Sequence, residues 1–259
     1  MKREGFAHFL AQWPDLLPVN QHSTVVLDDP FAVEQIMQNA DANSPNSQPD
    51  PPVSQAVVSR LSLYLRELQH LVRDGHETTN STQLGSRLGF TDAQVRKDLA
   101  NFGQFGYPGI GYRCDELIAA IRKILGTDRQ WPVAVVGLGN LGRALLGYKG
   151  FNQQGFRIVA AFDVAPEKVG QTVDGVEIFH LDDLARVVVE RDIRLAIIAV
   201  PAPAAQQVAD ELAAAGVAGV LNFAPVTLSM AEEISRIGVD LAIELEQLSF
   251  AVVNRRQNP

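Results

Sequence analysis

The sequence lacks the features of a membrane protein or a disulfide-stabilised one. Its single cysteine, Cys114, excludes both an intramolecular disulfide and a paired-cysteine zinc site. No stretch approaches the roughly 20 uninterrupted apolar residues of a membrane helix, and residues 1–20 lack the apolar run of a signal peptide. We therefore expect a cytoplasmic protein that neither binds a metal nor contacts a membrane.

Basic residues are also few, since 22 lysines and arginines stand against 30 acidic residues, a formal net charge of −8. The charge is unevenly distributed along the chain. Acidic side chains outnumber basic ones in residues 1–52, with 7 acidic and 2 basic, and in residues 129–259, with 15 acidic and 11 basic. Residues 53–128 carry 9 basic and 8 acidic side chains and are the only segment that is not acidic. Local clustering, more than total charge, decides whether a surface can meet phosphates. The middle segment therefore remains a candidate for binding DNA.

Composition places the first domain boundary near residue 52 of the 259. Residues 41–52 contain four prolines and almost no apolar side chains, which predicts an extended, solvated linker. We interpret residues 1–52 as an acidic, disordered extension that ends in this linker, and we assign it no role.

Residues 53–128 show the pattern of a small helical domain. A helix of about 18 residues is predicted by apolar residues at the helical period, namely Val57, Leu61, Leu65 and Leu68. Two shorter helices are predicted from pairs with capping-box spacing, Asn80 with Gln83 and Thr91 with Gln94. Four glycines between residues 103 and 111 then indicate a hairpin-like loop, and another helix is predicted over residues 115–125.

The third of these helices has an apolar face and a polar one. Val95, Leu99 and Phe102 form the predicted apolar face, so the polar residues lie largely away from the core. A winged-helix domain presents such a polar face to the major groove, with the hairpin as its wing. An ordinary solvated face would show the same pattern. The candidate DNA contacts are Arg60, Ser81, Gln94, Arg96, Lys97, Tyr107 and Gly109.

From Pro132 onward, strand and helix patterns alternate. Apolar runs with strand composition occur at residues 133–136, 158–162, 195–200 and 217–223, with helical stretches at 181–191 and 204–215. This alternation predicts an α/β Rossmann domain, a doubly wound parallel sheet, over residues 129–242. Residues 243–259 are predicted to form an amphipathic helix that extends past the sheet, with Leu245, Leu248, Ala251 and Val252 on its apolar face.

A glycine-rich turn with the dinucleotide-binding pattern follows the first predicted strand. Residues 137–142 read Gly-Leu-Gly-Asn-Leu-Gly, and Asp163 ends the next strand 21 residues after Gly142. An acid at this distance accepts the adenosine ribose hydroxyls. Its charge would repel a 2′-phosphate, which favours NAD(H) over NADP(H). Arg157 and Lys168 are the nearest basic residues and are not expected to reverse that preference.

The ends of the later predicted strands lack acid–base groups. Residues 200–204 and 222–226 contain no His, Lys, Cys, Tyr or carboxylate, and His180 is expected to cap a helix or lie on the surface. A dehydrogenase needs such a group near the substrate carbonyl. We therefore predict a cofactor-binding site without catalysis. Its candidate residues are Gly137, Leu138, Gly139, Asn140, Leu141, Gly142, Asp163, Lys168, Val200, Pro201, Asn222, Phe223, Ala224 and Pro225.

This predicted pocket can distinguish the two redox forms of the cofactor. An apolar lining disfavours the cationic oxidised ring because burial of an unpaired charge is costly. The lining residues are Pro201, Phe223, Ala224 and Pro225. We therefore expect NADH to be preferred over NAD⁺.

Six motifs together resemble a known family. They are Gln94-Val-Arg-Lys-Asp-Leu99, the glycine-rich run Phe102–Tyr112, Val136-Gly-Leu-Gly-Asn-Leu-Gly142, Phe162-Asp-Val-Ala-Pro-Glu-Lys-Val-Gly170, Asn222-Phe-Ala-Pro225 and Leu248-Ser-Phe-Ala251. In this order, from about Val53 to Asn254, the chain resembles the redox-sensing transcriptional repressor family Rex.

The resemblance implies a homodimeric repressor with a winged-helix domain over residues 53–128, a Rossmann domain, and a C-terminal helix exchanged between subunits. It implies that a palindromic operator is bound with NAD⁺ or without ligand, and released with NADH. Gln94, Arg96 and Lys97 would then read the groove, with Arg60 near the backbone. The positions similar to the family's switch residues are Arg66, Tyr112 and Asp240.

The wing departs from the family pattern. The family has a basic residue just before the third glycine of the wing, where this chain reads Tyr107-Pro108-Gly109. A minor-groove arginine is thus missing at the tip. Ala165 also stands where the family commonly has an acidic or amide residue.

Two other functions agree with parts of the pattern. One is an NAD-dependent oxidoreductase with a helical accessory domain, and the other is a nucleotide-binding module whose helices contact protein. Binding to DNA should weaken steeply with salt through counterion release. Neither alternative predicts that dependence.

Overall fold

The computed structural model of the chain describes residues 53–257. The predicted acidic extension, residues 1–52, lies outside them. Within the described part, no helix is both long enough and apolar enough to cross a membrane.

The N-terminal part of the described chain is helical with a small sheet. Its helices are α1 Gln55–Arg73, α2 Ser81–Leu88, α3 Asp92–Ala100 and α4 Cys114–Ile124. The short strands β1 Thr78–Thr79, β2 Gly106–Tyr107 and β3 Gly111–Arg113 pair antiparallel in the order β1-β3-β2. Leucines of all four helices form its buried core together with Tyr64 and Val95. The helices predicted from periodicity and capping are confirmed.

Local hydrogen bonds explain where the two short helices begin. The Asn80 side chain accepts the backbone N–H of Gln83 at 2.8 Å, and the Thr91 hydroxyl accepts that of Gln94 at 3.1 Å. Each bond satisfies one of the N–H groups that a helix start leaves without a partner. These side chains therefore fix where α2 and α3 start.

The C-terminal part is built on a seven-stranded sheet, which confirms the predicted Rossmann-like architecture. Its strands are β4 Trp131–Val136, β5 Phe156–Asp163, β6 Thr172–Val173, β7 Val176–His180, β8 Leu195–Ile198, β9 Gly219–Asn222 and β10 Ser235–Gly238. They lie in the order β10-β9-β8-β4-β5-β7-β6, and only the β6–β7 pair is antiparallel. Sequence patterns had not identified β6, β7 or β10.

Helices cover both faces of this sheet. They are α5 Asn140–Leu146, α6 Gly150–Gln153, a 3₁₀ turn Leu181–Asp183, α7 Leu184–Glu190 and α8 Ala202–Ala214. Two separate apolar clusters lie against the sheet, as a doubly wound fold requires. The chain runs outward from β4 to β5 and β7, then returns to β8 beside β4. This reversal opens a crevice at the carboxyl ends of β4 and β8, where such folds bind their ligands.

The last helix, α9 Leu241–Gln257, begins two residues earlier than predicted and differs from the expected amphipathic helix. Leu245 and Leu248 lie on one side, whereas Ile243 and Phe250 lie on the opposite side at 3.6 residues per turn. All four are at least half exposed. The prediction of one apolar face is therefore wrong, because it overlooked the residues on the other side.

Candidate nucleotide site and DNA-facing helix

The glycine turn after β4 has no room for side chains at two of its three glycines. Gly137 has a φ of +93°, and a Cβ there would lie 2.7 Å from the carbonyl oxygen of Ala199 and from Cγ1 of Val200. A Cβ on Gly142 would overlap the carbonyl oxygen of Gly137. Gly139 is different, because nothing lies within 4 Å of its Cβ position. The turn is packed on its inner side and open at its middle glycine, where a diphosphate can approach the backbone.

Asp163 ends β5 with a buried carboxylate beside this turn. Its Oδ2 accepts the backbone N–H of Leu138 and the ammonium of Lys168, both at 2.8 Å, and its Oδ1 accepts the N–H of Ala165 at 2.9 Å. Burial alone would raise the pKa of Asp163, but the bonds from Lys168, Ala165 and Leu138 outweigh it and hold the pKa below its ordinary value. The carboxylate is therefore ionised at neutral pH and still has acceptor capacity for a hydroxyl.

Lys168 lies closer to Asp163 than its sequence position suggested. It forms an ion pair with the Asp163 carboxylate at 2.8 Å. Arg157 lies near the amino end of β5, whereas Asp163 lies at the carboxyl end. Lys168 compensates part of the carboxylate charge, so charge repulsion by Asp163 is a weaker barrier to a 2′-phosphate than the sequence suggested.

The loop after β9 is shaped by a buried asparagine. The Nδ2 of Asn222 donates to the carbonyl oxygens of Ala224 and Val226 at 3.0 and 2.9 Å, and its Oδ1 accepts the N–H of Ala224 at 2.9 Å. Asn222 therefore organises the turn that carries Phe223 and Pro225. Val200, two residues after the end of β8, adjoins Gly137, so the loop after β8 lies beside the glycine turn.

The loops after β8 and β9, residues 200–204 and 222–226, contain no acid–base side chain. His180, the imidazole considered from the sequence, accepts the N–H of Asp182 on Nδ1 at 3.3 Å and so caps the 3₁₀ turn. The expectation of a helix-capping histidine is confirmed. Among residues 53–257, no cluster of three or more His, Cys, Asp and Glu side chains could hold a metal ion.

The predicted DNA-facing helix α3 exposes two cationic side chains. Lys97 is exposed. Arg96 is 55% exposed, and its guanidinium donates to the hydroxyl of Ser81 at 3.0 Å and to the carboxylate of Asp92 at 2.7 Å. Ser81, at the start of α2, is thereby joined to the outer face of α3.

Two other predicted DNA contacts turn inward. Gln94 donates through Nε2 to Asp98 at 2.8 Å, and Arg60 of α1 donates to the same carboxylate through Nε at 2.6 Å and Nη2 at 2.8 Å. Periodicity placed Gln94 on the polar face of α3, away from the core. Its amide instead reaches Asp98, which lies one turn later and is buried. Sequence reasoning missed Asp98, because a charged residue between an exposed and an apolar face gives no periodic signal.

The hairpin residues are held by the helix that follows them. The Tyr107 hydroxyl donates to Glu116 at 2.9 Å, and the N–H of Ile110 donates to the carbonyl oxygen of Tyr107 at 3.1 Å. Gly109, with a φ of +76°, is the third residue of that turn, so Pro108 and Gly109 have the positions typical of a type II turn.

The three predicted switch residues lie on separate elements. Tyr112 pairs with Thr79 in the small sheet, and burial raises the pKa of Tyr112. Arg66 is exposed on α1. Asp240 caps α9, since its Oδ1 accepts the N–H of Ala242 at 2.9 Å. Within residues 53–257, no hydrogen bond or ion pair joins any two of the three.

Comparison with known proteins identifies the family. Residues 128–226 match the family described as "CoA binding domain", and residues 52–100 match "Putative DNA-binding protein N-terminus". A redox-sensing transcriptional repressor Rex of Desulfitobacterium hafniense is 47% identical over 204 residues, 79% of this chain and 97% of that protein. A Rex protein of Roseiflexus is 47% identical over 194 residues, 75% of this chain and 88% of that protein. The chain belongs to the Rex family.

Solved structures of a Rex-family repressor agree over both halves of the described chain. The crystal structure of RSP in complex with β-NAD⁺ and operator DNA has a TM-score of 0.75 and 32% identity, and covers 80% of this chain and 96% of that one. RSP in complex with β-NADH has a TM-score of 0.72 and 31% identity, and covers 80% and 98%. Rex proteins are transcriptional repressors, which confirms the prediction that this chain is not an enzyme.

Proposed function

We propose that the chain is an NADH-responsive repressor that binds a palindromic operator as a homodimer and leaves it when NADH binds. The observation that carries this proposal is the likeness, over both halves, to RSP, whose structures contain operator DNA with β-NAD⁺ and, separately, β-NADH. The open glycine turn and the exposed cationic face of α3 support it independently.

Residues 53–128 act as the winged-helix domain in this proposal. Lys97 and Arg96 face outward from α3 and meet the major groove, where arginine pairs with guanine edges and lysine with phosphate. Ser81 and the wing residues Tyr107 and Gly109 flank that face. The domain therefore reads DNA through a few cations, although the whole chain is acidic.

Residues 129–242 hold the dinucleotide in the crevice beside the reversal of strand order. The open side of Gly139 accepts the diphosphate, and Asp163 accepts ribose hydroxyls. The loops that carry Pro201 and Phe223–Pro225 offer an apolar surface to the nicotinamide. Such a surface disfavours a cationic ring, so NADH is bound more tightly than NAD⁺.

Residues 243–259 supply the dimer contact. An exposed helix with apolar side chains on opposite sides is stable in water only when both sides are covered. Exchange of α9 between two subunits covers both apolar sides of the helix, because α9 of one subunit then lies between the domains of the other subunit. The dimer in turn places two copies of α3 on successive major grooves.

Release is a shift between two arrangements of the dimer. A ligand that reverses a 1:99 equilibrium to 99:1 must prefer one arrangement by about 10⁴-fold, roughly 5.5 kcal/mol. Two cofactor sites in a dimer can share this difference. NADH therefore releases DNA by favouring the arrangement whose α3 helices do not match the grooves.

The test uses the full-length protein on a palindromic duplex selected from random sequences. We expect binding that is retained in excess NAD⁺, lost on titration with NADH, and weakened steeply between about 50 and 200 mM salt. Fluorescence anisotropy measures all three. Binding that does not respond to NADH, or no selectable sequence at all, contradicts the proposal.

Calorimetric titration separately tests redox preference. NADH should bind more tightly than NAD⁺ to the DNA-free protein. Equal affinities would refute the role assigned to the apolar loops.

A further inference from the structure

Helix α3 contains a buried carboxylate close to its exposed cations. Asp98 is 1% exposed, yet it directly follows Lys97, which lies in solvent. Four N–H and O–H donors surround it. Arg60 provides two, and the Tyr64 hydroxyl and the Gln94 amide provide one each, at 2.6–2.8 Å. A carboxylate so far from water is retained only when its oxygens are fully partnered.

These donors come from two helices. Arg60 and Tyr64 lie one turn apart on α1, and Gln94 lies one turn before Asp98 on α3. Tyr64 is itself completely buried. Asp98 therefore joins α3 to α1 by three bonds and fixes the rotation of α3 about its own axis.

The electrostatics agree with a permanent ion pair. Burial would raise the pKa of Asp98, but the bonds from Arg60, Tyr64 and Gln94 outweigh it and hold the pKa below its ordinary value. Burial together with the bond to Asp98 raises the pKa of Tyr64, so its hydroxyl remains a donor. The group does not titrate near neutral pH.

We propose that Asp98 is a positioning residue for operator recognition, which holds α3 on α1 at the angle that presents Arg96 and Lys97 to the groove. Gln94 and Arg60 act mainly through Asp98, and not by reading bases. This proposal rests on the proposed function of the chain as an operator-binding repressor. It gives a positioning role to two partly buried residues whose sequence pattern indicates DNA contact.

The structure supplies variants that separate this role from direct contact. Asp98→Asn retains the shape of the side chain but turns an N–H₂ group toward donors. Arg60→Lys retains the positive charge, which a phosphate contact needs, but loses the two-pronged bond to Asp98. Glu67→Gln is the matched control, because Glu67 pairs with Arg87 at 2.8 Å and joins α1 to α2, away from α3.

The experiment compares full-length proteins on the selected operator and on a random duplex of equal length. We expect Asp98→Asn and Arg60→Lys each to weaken operator binding about tenfold, the scale of one charged hydrogen bond. Binding to the random duplex should change little, because it depends on surface cations. Affinity for NADH should remain unchanged, and Glu67→Gln should bind operator like the wild type.

A double-mutant cycle makes the test decisive. When Arg60 acts through Asp98, the double variant binds operator no more than about twofold more weakly than either single variant. Multiplicative losses, or an Arg60→Lys variant with wild-type operator affinity, overturn the proposal. If Asp98→Asn fails to bind NADH or melts at much lower temperature, the double-mutant cycle is measured with Arg60→Lys and Gln94→Ala instead. The same two outcomes then support or overturn the proposal. Failure of the wild type to bind any operator would contradict the proposed function itself.

Discussion

At the residue scale, two buried aspartates each accept several hydrogen bonds from different parts of the chain. Asp163 gathers Lys168 and two backbone N–H groups around the glycine turn, and Asp98 gathers Arg60, Tyr64 and Gln94 around α3. In both cases, hydrogen bonds outweigh the cost of burial and keep the carboxylate charged. Each aspartate thus contributes to the folded geometry as well as to a proposed site.

Replacement of Asp163 should separate the two proposed activities. We expect Asp163→Ala to bind the operator like the wild type but no longer to be released by NADH, because the ribose acceptor and the anchor of the glycine turn are both lost. Anisotropy with and without NADH measures this. The control is Asp182→Ala, whose carboxylate is 90% exposed. Release of Asp163→Ala at wild-type NADH concentrations would refute the role.

Stability should depend on the charge of Asp98 in a defined pH range. The folded pKa of Asp98 lies below its ordinary value of 3.8, so its contribution is complete above that value and is lost as the pH falls through the folded pKa. The difference in unfolding free energy between wild type and Asp98→Asn should therefore be largest near neutral pH and shrink on acidification. Urea unfolding at several pH values checks this, and a difference that grows in acid contradicts it.

At the element scale, the wing of this chain is well formed but neutral at its tip. Pro108 and Gly109 occupy the positions that a type II turn favours, and Tyr107 is tied to Glu116 of α4. The hairpin therefore has its shape without the cation that would enter a narrow minor groove. In the proposed function, helix α3 therefore supplies most of the affinity for the operator.

An arginine at the tip should restore a minor-groove contact. We expect Pro108→Arg to bind operators with flanking A·T tracts several-fold more tightly and to gain about one unit of salt slope, since narrow grooves attract arginine. Pro108→Gln is the uncharged control. Titrations at three salt concentrations on A·T- and G·C-flanked duplexes measure both effects. Equal gains by both variants would show that charge is not the cause.

At the scale of the whole molecule, the two described domains have their own cores, whereas α9 has none. Its apolar side chains remain exposed on both sides, and Phe250 is 73% exposed. The edge strand β10 beside it is exposed along its length. In the proposed dimer, a second copy of the chain covers both of these surfaces.

Charges on α9 should therefore abolish the dimer. We expect Leu245→Asp with Phe250→Asp to give a monomer that still binds NADH but binds the palindromic operator far more weakly, because one α3 then contacts one half-site. Sedimentation analysis and anisotropy test this. Gln247→Asp with Ser249→Asp is the control, because it adds the same two charges at polar positions of the helix. A dimeric Leu245→Asp, Phe250→Asp variant would contradict the proposal.

Much of the architecture depends on interactions between residues that are close together in the chain. The caps Asn80 and Thr91 act within three residues, and the glycine turn acts within six. Strands β7 and β10 gave no such local signal. Glu177 interrupts the apolar run of β7, and β10 has no buried residue that would produce an apolar pattern. Their pairing depends on neighbouring strands more than on their own composition.

The sequence alone determined most of the alternation of strands and helices, the starts of α2 and α3, the nucleotide turn and the family resemblance, because each depends on residues close together in the chain. Only the tertiary structure decided which polar side chains meet. Arg60 and Asp98 are 38 residues apart, and no periodicity relates them. Packing of α1 against α3 brings them into contact, so that Arg60, a predicted DNA contact, donates to a buried carboxylate.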